Sequence, residues 1–162
     1  MHLPLIFKFV VLLGIANGTP IIADGLLGRS LAYPIDGGTN FIDGRALLGP
    51  SKTIRGTVAA VLASSACAPL FGIAWTTGFV IGLAAMAGDL TSSFVKRRLS
   101  RPPSSRALGL DQIPESLFPA LACRGLLALT ATDVIVVVAL FCVGELALSY
   151  LLFKLHLRKE PY

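Results

Sequence analysis

Charge is what this sequence has least of. Asp, Glu, Lys and Arg together make up 14% of its 162 residues, and only nine residues are acidic. A soluble domain carries about 25%. The deficit argues against an ordinary water-soluble globule, and 54% apolar content with a mean hydropathy of +0.76 excludes a disordered chain. Cysteine is scarce as well. Cys67, Cys123 and Cys142 form no CxxC and sit among apolar neighbours, so neither a disulfide framework nor a zinc site is expected. No internal repeat and no low-complexity tract is present, and the length suits one domain, 1–162.

What the chain does have is apolar length. A bilayer-crossing helix takes about 20 mostly apolar residues. Residues 3–23 supply the first. Lys8 ahead of an apolar run imitates a signal peptide, but the run passes into Asn17, Gly18, Thr19 and Pro20 without a small-residue cleavage site, and further spans follow. Between Arg55 and Asp89 lie 33 residues without a charge, too many for one helix. Pro69 and Gly72 mark a turn between two, the second over 73–95 with Asp89 inside it. Residues 112–129 form a fourth span, made poor for lipid contact by Pro114, Glu115, Pro119 and Arg124. Residues 133–153 form a strong fifth, capped on the outer side by Asp133. Glu145 within it needs a partner, for which Arg124 is the candidate. The expected fold is therefore all-α, a polytopic membrane protein with about five transmembrane helices and a long cytoplasmic loop between the first two.

Basic residues fix the orientation. Segments 24–55, 96–111 and 154–162 hold four, five and three Lys/Arg, or 12 of the chain's 14, and five spans put all three on one side. Cytoplasmic segments of membrane proteins carry such an excess. The N-terminus is expected outside the cell membrane, and the C-terminus and the site in the cytoplasm.

A charge inside a membrane helix is costly and tends to mark function. Asp89, Ser93 and Lys96 fall at i, i+4 and i+7, one helical stripe, with Arg97 flanking it. A carboxylate, a hydroxyl and cations in one stripe suit a metal-bound polyphosphate, because Mg²⁺ takes one or two carboxylates plus substrate phosphates and Lys or Arg neutralises phosphate oxygens. Arg98 reads as a positive anchor of the helix end. Residues 34–56 form a second constellation. Asp36-Gly37 and Asp43-Gly44 are turn signals, and Gly49-Pro50-Ser51 leads into Lys52-Thr53 before the next helix. A helix start favours anions, so this is a candidate phosphate loop, although it lacks the GxxxxGK[ST] spacing of a Walker loop. For Asn17 a structural hydrogen bond and a site role fit equally. For Asp111 a helix cap and a second metal ligand both fit.

These motifs resemble the CDP-archaeol synthase family, relatives of the CDP-diacylglycerol synthases. The resemblance rests on GDLxxSxxKR at Gly88, Asp89, Leu90, Ser93, Lys96 and Arg97. It rests also on Asp43, Gly44, Gly49, Lys52, Thr53, Arg55 and Gly56, and on Leu110, Asp111, Gln112 and Pro114. It implies a nucleotidyltransferase that moves CMP from CTP to a lipid phosphate (an archaeol-type phosphate or phosphatidate), releasing pyrophosphate with Mg²⁺. It implies Asp89, Lys96 and Asp111 as catalytic, with Asp89 and Asp111 on the metal. Asn17, Asp43, Lys52, Thr53, Arg55, Ser93, Arg97 and Gln112 would bind substrate. Its partners would be CTP, the lipid acceptor and membrane lipids, with no nucleic acid; a homodimer is a possible assembly. The stretch Arg101-Pro102-Pro103-Ser104-Ser105-Arg106-Ala107 departs from the Pro-Gly-His-Gly-Gly segment of the bacterial diacylglycerol enzymes. The CDP-alcohol phosphatidyltransferase motif is absent, since Asp43-Gly44 is not followed by Ala-Arg. A small transporter subunit would spread its polar residues through the midplane; an inactive membrane scaffold is the other alternative.

Overall fold

The structure is a computed structural model that describes residues 2–28, 30–102, 105, 107 and 109–154. Five helices make it up: α1 (Leu3–Leu27), α2 (Ile54–Cys67), α3 (Trp75–Arg98), α4 (Gln112–Ala122) and α5 (Ala131–Lys154). Among the described residues no strand forms, and backbone pairing outside helices is limited to isolated bridges at Pro34–Thr53 and Asn40–Ala46. Four stretches are long and apolar enough to cross a membrane: α1, α2 with its extension, α3 and α5.

The core is a seam of apolar side chains inside the bundle. Ile6, Phe9, Leu12 and Leu13 of α1 are buried against Ile81 and Ala85 of α3 and Val137 and Phe141 of α5. The outward faces are apolar too. Phe7, Leu62, Leu83, Ile135 and Val143 are 67%, 62%, 51%, 68% and 64% exposed. Helices apolar on both faces suit a surrounding of lipid. There the hydrophobic effect cannot drive helix association, so small residues that let backbones approach must do so. Gly78 and Gly82 serve this between α3 and α2: a Cβ on Gly78 would lie 2.4 Å from the Ser64 carbonyl oxygen, and one on Gly82 2.8 Å from Val61 Cα. Gly88 does the same for α4, where a Cβ would meet the Pro114 carbonyl oxygen at 2.3 Å.

The turn expected at Pro69–Gly72 is a 3₁₀ turn, Ala68–Phe71, ended by Gly72 at φ +70°. The expected fourth span differs. Its helix stops at Ala122, and 11 residues reach only ~16 Å. The exposed Arg124 and Gly125 follow, and the Leu129 amide turns back to the Arg124 carbonyl. At its start α4 is tied to the end of α3 by Lys96 Nζ, 2.7 Å from Asp111 Oδ1. The start of α5 is tied instead to the start of α1. Asp133, fully buried, accepts from the His2 backbone N–H and lies 3.0 Å from its ring Nδ1. Asp133 also forms a reciprocal cap with Thr130: its carboxylate accepts from the Thr130 N–H, and the Thr130 hydroxyl accepts from the Asp133 N–H.

Among its described residues, the connection between α1 and α2 (28 and 30–53) contains no helix but is ordered by its own hydrogen bonds. Asp36 accepts from the amides of Gly38, Leu48 and Gly49 at 2.9, 2.9 and 3.1 Å. Partial burial alone would raise the Asp36 pKa; the amides outweigh it and hold the carboxyl below its ordinary value. Ile35 N–H donates to the Lys52 carbonyl and Ile54 N–H to that of Tyr33, so the loop ends where α2 begins. Thr53 caps α2 by accepting from the Gly56 amide at 3.1 Å.

Two outcomes are expected. Gly88→Val should push α4 off α3 and lower the melting temperature in detergent, at an overpacking cost of about 1–3 kcal/mol; an unchanged melting temperature would show that the approach is not tight. The Asp36 knot should be intact above the pKa of an unfolded aspartate, about 3.9, and fade as pH falls through the lower folded value. Asp36→Asn should therefore speed exchange of the Leu48 and Gly49 amides at neutral pH, read by hydrogen–deuterium exchange.

Candidate functional site

A cavity of about 500 Å³ opens among α1, the end of the 28–53 connection, α3, α4 and α5. A volume of this size fits a nucleotide-sized ligand. Its polar lining includes Asn17, Ser51, Lys52, Thr53, Asp89, Lys96, Asp111, Gln112, Glu115, Glu145 and Ser149, and its apolar lining includes Ile21, Met86, Phe141, Leu146 and Leu148.

At the centre Lys52 Nζ lies 2.6 and 2.7 Å from the two carboxylate oxygens of Asp89. Both side chains are about four-fifths covered. Asp89 is nine residues from the end of α3, about 14 Å along the axis. The long Lys52 stem brings its ammonium down to the carboxylate from the loop. Glu115 of α4, only 6% exposed, lines the same cavity close to Asp89. Two facing carboxyl groups repel unless a proton or a cation relieves them. Two turns nearer the end of α3, Lys96 pairs with Asp111 and donates to the Ser105 carbonyl at 2.9 Å. Asp111 also accepts from the Ala107 amide, and Gln112 Oε1 from the Gly109 amide, which shapes the entry to α4.

Seven residues singled out from sequence thus line this one cavity: Asn17, Lys52, Thr53, Asp89, Lys96, Asp111 and Gln112. Asn17 combines its two readings, since its amide donates to the Leu13 carbonyl while the residue faces the cavity. Four others stand outside its lining. Asp43 pairs with Arg98. Arg55 joins α1 to α2 through Asp24 and the carbonyls of Gly28 and Ser30. Ser93 is buried on α3. Arg97, 5% exposed, donates from Nη2 to the Pro102 carbonyl. Its Nε and Nη1 have no hydrogen-bond partner among the described residues.

Sequence reasoning missed Glu115, reading it only as a burden on lipid contact. Its signal was spacing: Asp111 and Glu115 stand at i, i+4 and share a helix face. Glu145 also belongs here, next to Glu115, whereas its suggested partner Arg124 is exposed in the turn after α4.

Among the described residues no three His, Cys, Asp or Glu side chains gather about one point for a metal. The donor set is nevertheless hard oxygen, and Lys52 already places a cation on Asp89. That combination fits Mg²⁺, which typically takes one or two carboxylates and leaves its remaining positions to phosphate and water.

Known proteins with the same pattern are numerous. The chain matches the CarS-like family, described as CDP-archaeol synthase, over residues 3–74 and 69–162. A CDP-archaeol synthase of Pyrobaculum calidifontis is 35% identical over 91% of both chains. That of Sulfurisphaera tokodaii is 32% identical over 91% of this chain and 89% of its own. A solved structure of an intramembrane enzyme for archaeal membrane lipid biosynthesis superposes with a TM-score of 0.75, at 33% identity, covering 86% of this chain and 89% of that one. With residues 3–162 matched by the family model and relatives at 35% and 32% identity covering 91% of it, the chain belongs to the CDP-archaeol synthase family.

Proposed function

We infer that this protein is a CTP-dependent nucleotidyltransferase that joins CMP to an archaeol-type lipid phosphate, giving CDP-archaeol and pyrophosphate. Family membership supports the reaction. The cavity carries the reading of the site: its lining combines paired cations and carboxylates with apolar side chains, so that both reactants can meet within it. Lys52 and Lys96 exchange their carboxylate partners for the triphosphate as CTP enters. Arg97 adds positive charge behind them. The lipid phosphate lies against Met86, Phe141 and Leu146, and one of its oxygens attacks the α-phosphorus. A new P–O bond forms as the bond to the pyrophosphate oxygen breaks. The attacking oxygen is already anionic at neutral pH, so no general base is required. The residues act by positioning and electrostatic stabilisation, as elsewhere in phosphoryl transfer. When bound, Mg²⁺ would neutralise charge on the triphosphate. Asp89 would hold it, with Asp111 or Glu115 as the second carboxylate. Thr53 and Gln112 chiefly shape the loop and the start of α4.

The topology proposed with this function has five crossings, the fourth made by α4 together with residues 123–130. Two ties support it. The start of α4 is held at the end of α3 and the start of α5 at the start of α1, so the segment between them covers the height of the bundle. The clustered Lys and Arg then put the cavity mouth and the C-terminus in the cytoplasm and the N-terminus outside.

The decisive assay offers purified protein radiolabelled CTP with unsaturated archaetidic acid or phosphatidate. Label is expected in lipid with the archaeol-type acceptor; no transfer to either acceptor would defeat the reading. Asp89→Asn should lower kcat by about 10²–10³-fold or more while the melting temperature stays near that of the wild type. Full turnover in that variant would remove Asp89 from the chemistry.

A further inference from the structure

Three consecutive cations, Lys96, Arg97 and Arg98, close α3, and only Lys96 lines the cavity. A plain positive anchor at a helix end needs water or lipid headgroups around it. Arg98 is largely covered by protein instead: its side chain is 20% exposed. The guanidinium carbon lies 4.8 Å from the ring centroid of Phe41 and 4.9 Å from that of Phe94. The two rings meet edge to face at 5.3 Å. Nη1 donates to Asp43 Oδ1 at 2.7 Å, and Nη2 to the Ala46 carbonyl at 2.6 Å. In return Arg45 donates to the carbonyl of Arg98 itself.

Apart from Phe94, every partner belongs to one small hairpin. The Asn40–Ala46 bridge and the Phe41 N–H, donating to the Arg45 carbonyl at 2.8 Å, close it. From there the order runs on without a break. Leu47 N–H donates to the Thr39 carbonyl, Leu48 and Gly49 amides to Asp36, and Lys52 N–H to the Gly49 carbonyl. Lys52 then reaches Asp89.

We propose that Arg98 is a positioning residue that staples the 40–46 hairpin to the end of α3 and thereby sets where Lys52 stands over the nucleotide site. Its planar fork and stacking face serve Asp43, a carbonyl and two rings together, which a lysine ammonium cannot do. The inference rests on Lys52 as a ligand of the triphosphate.

Arg98→Lys keeps the charge that orients the chain and removes the fork. Hydrogen–deuterium exchange of residues 40–49 should quicken by about 10-fold while α1 and α5 are unchanged, as for a local opening. The KM for CTP should rise by about 10-fold with kcat within about two-fold, and the rise should vanish in a Lys52→Ala background, the non-additivity expected of residues acting in series. Asp43→Asn, a milder cut in the same staple, should shift exchange and KM the same way but less. Unchanged exchange overturns the proposal. So does faster exchange with an unchanged KM, or an equal rise in both backgrounds, which would mean that Arg98 acts on CTP directly. Should Lys52→Ala itself keep the wild-type KM, the reading of Lys52 fails, and exchange alone decides whether Arg98 holds the hairpin.

Discussion

The contact between Lys52 and Asp89 fixes the end of the α1–α2 connection on a carboxylate inside α3. Asp89 is carried inside a membrane-length helix, where an unpaired carboxylate would be expensive. Lys52 comes from a connection that contains no helix of its own among the described residues and is tied to α3 also at its 40–46 hairpin. Each relieves the other, and bidentate contact at 2.6 and 2.7 Å leaves little freedom for either. Much else serves that meeting. The Asp36 knot and the Arg98 staple bring the loop down. Gly88 lets α4 approach closely enough to set Glu115 near the same carboxylate.

A pair of this kind is weak evidence for stability, since taking two charges out of water costs about what their attraction returns. Its worth lies in pre-organisation. The cations stand beside the cavity before any phosphate arrives, already stripped of much of their water. Their carboxylate partners are groups that can take up a metal ion when the ammonium turns to phosphate. The energetic exchange on binding is one of partners rather than of burial.

Much of this was legible in the sequence because it depended on local spacing. A charge-free stretch predicted two helices and their turn, and the turn formed at Pro69–Gly72. The stripe at Asp89 and Lys96 was a matter of helical period. What depended on contacts between distant segments was not legible. Asp43 and Arg55 belong to the motifs read from sequence, and in the structure Arg55 ties α2 to α1 while Asp43 ties the hairpin to α3. Arg98 looked like a topological charge because its aromatic and carbonyl partners lie about 50 positions away. Glu115 was read against lipid because its spacing from Asp111, which sets the two on one helix face, was set aside for the burden that its charge places on a lipid-facing span. The shortness of α4 follows from where its chain turns back at Arg124, a tertiary matter as well.

The triplet Lys96-Arg97-Arg98 illustrates how one set of charges can serve at two times. While the chain is being inserted, none of its partners is in place, and three naked cations present a strong cue for retention on the cytoplasmic side. In the folded bundle each is largely covered: Lys96 bonds to Asp111 and the Ser105 carbonyl, Arg97 to the Pro102 carbonyl through Nη2, and Arg98 to the hairpin. In the proposed topology, the orienting signal is taken up by the fold it helps to orient. The folded protein therefore offers little of this charge to anionic headgroups.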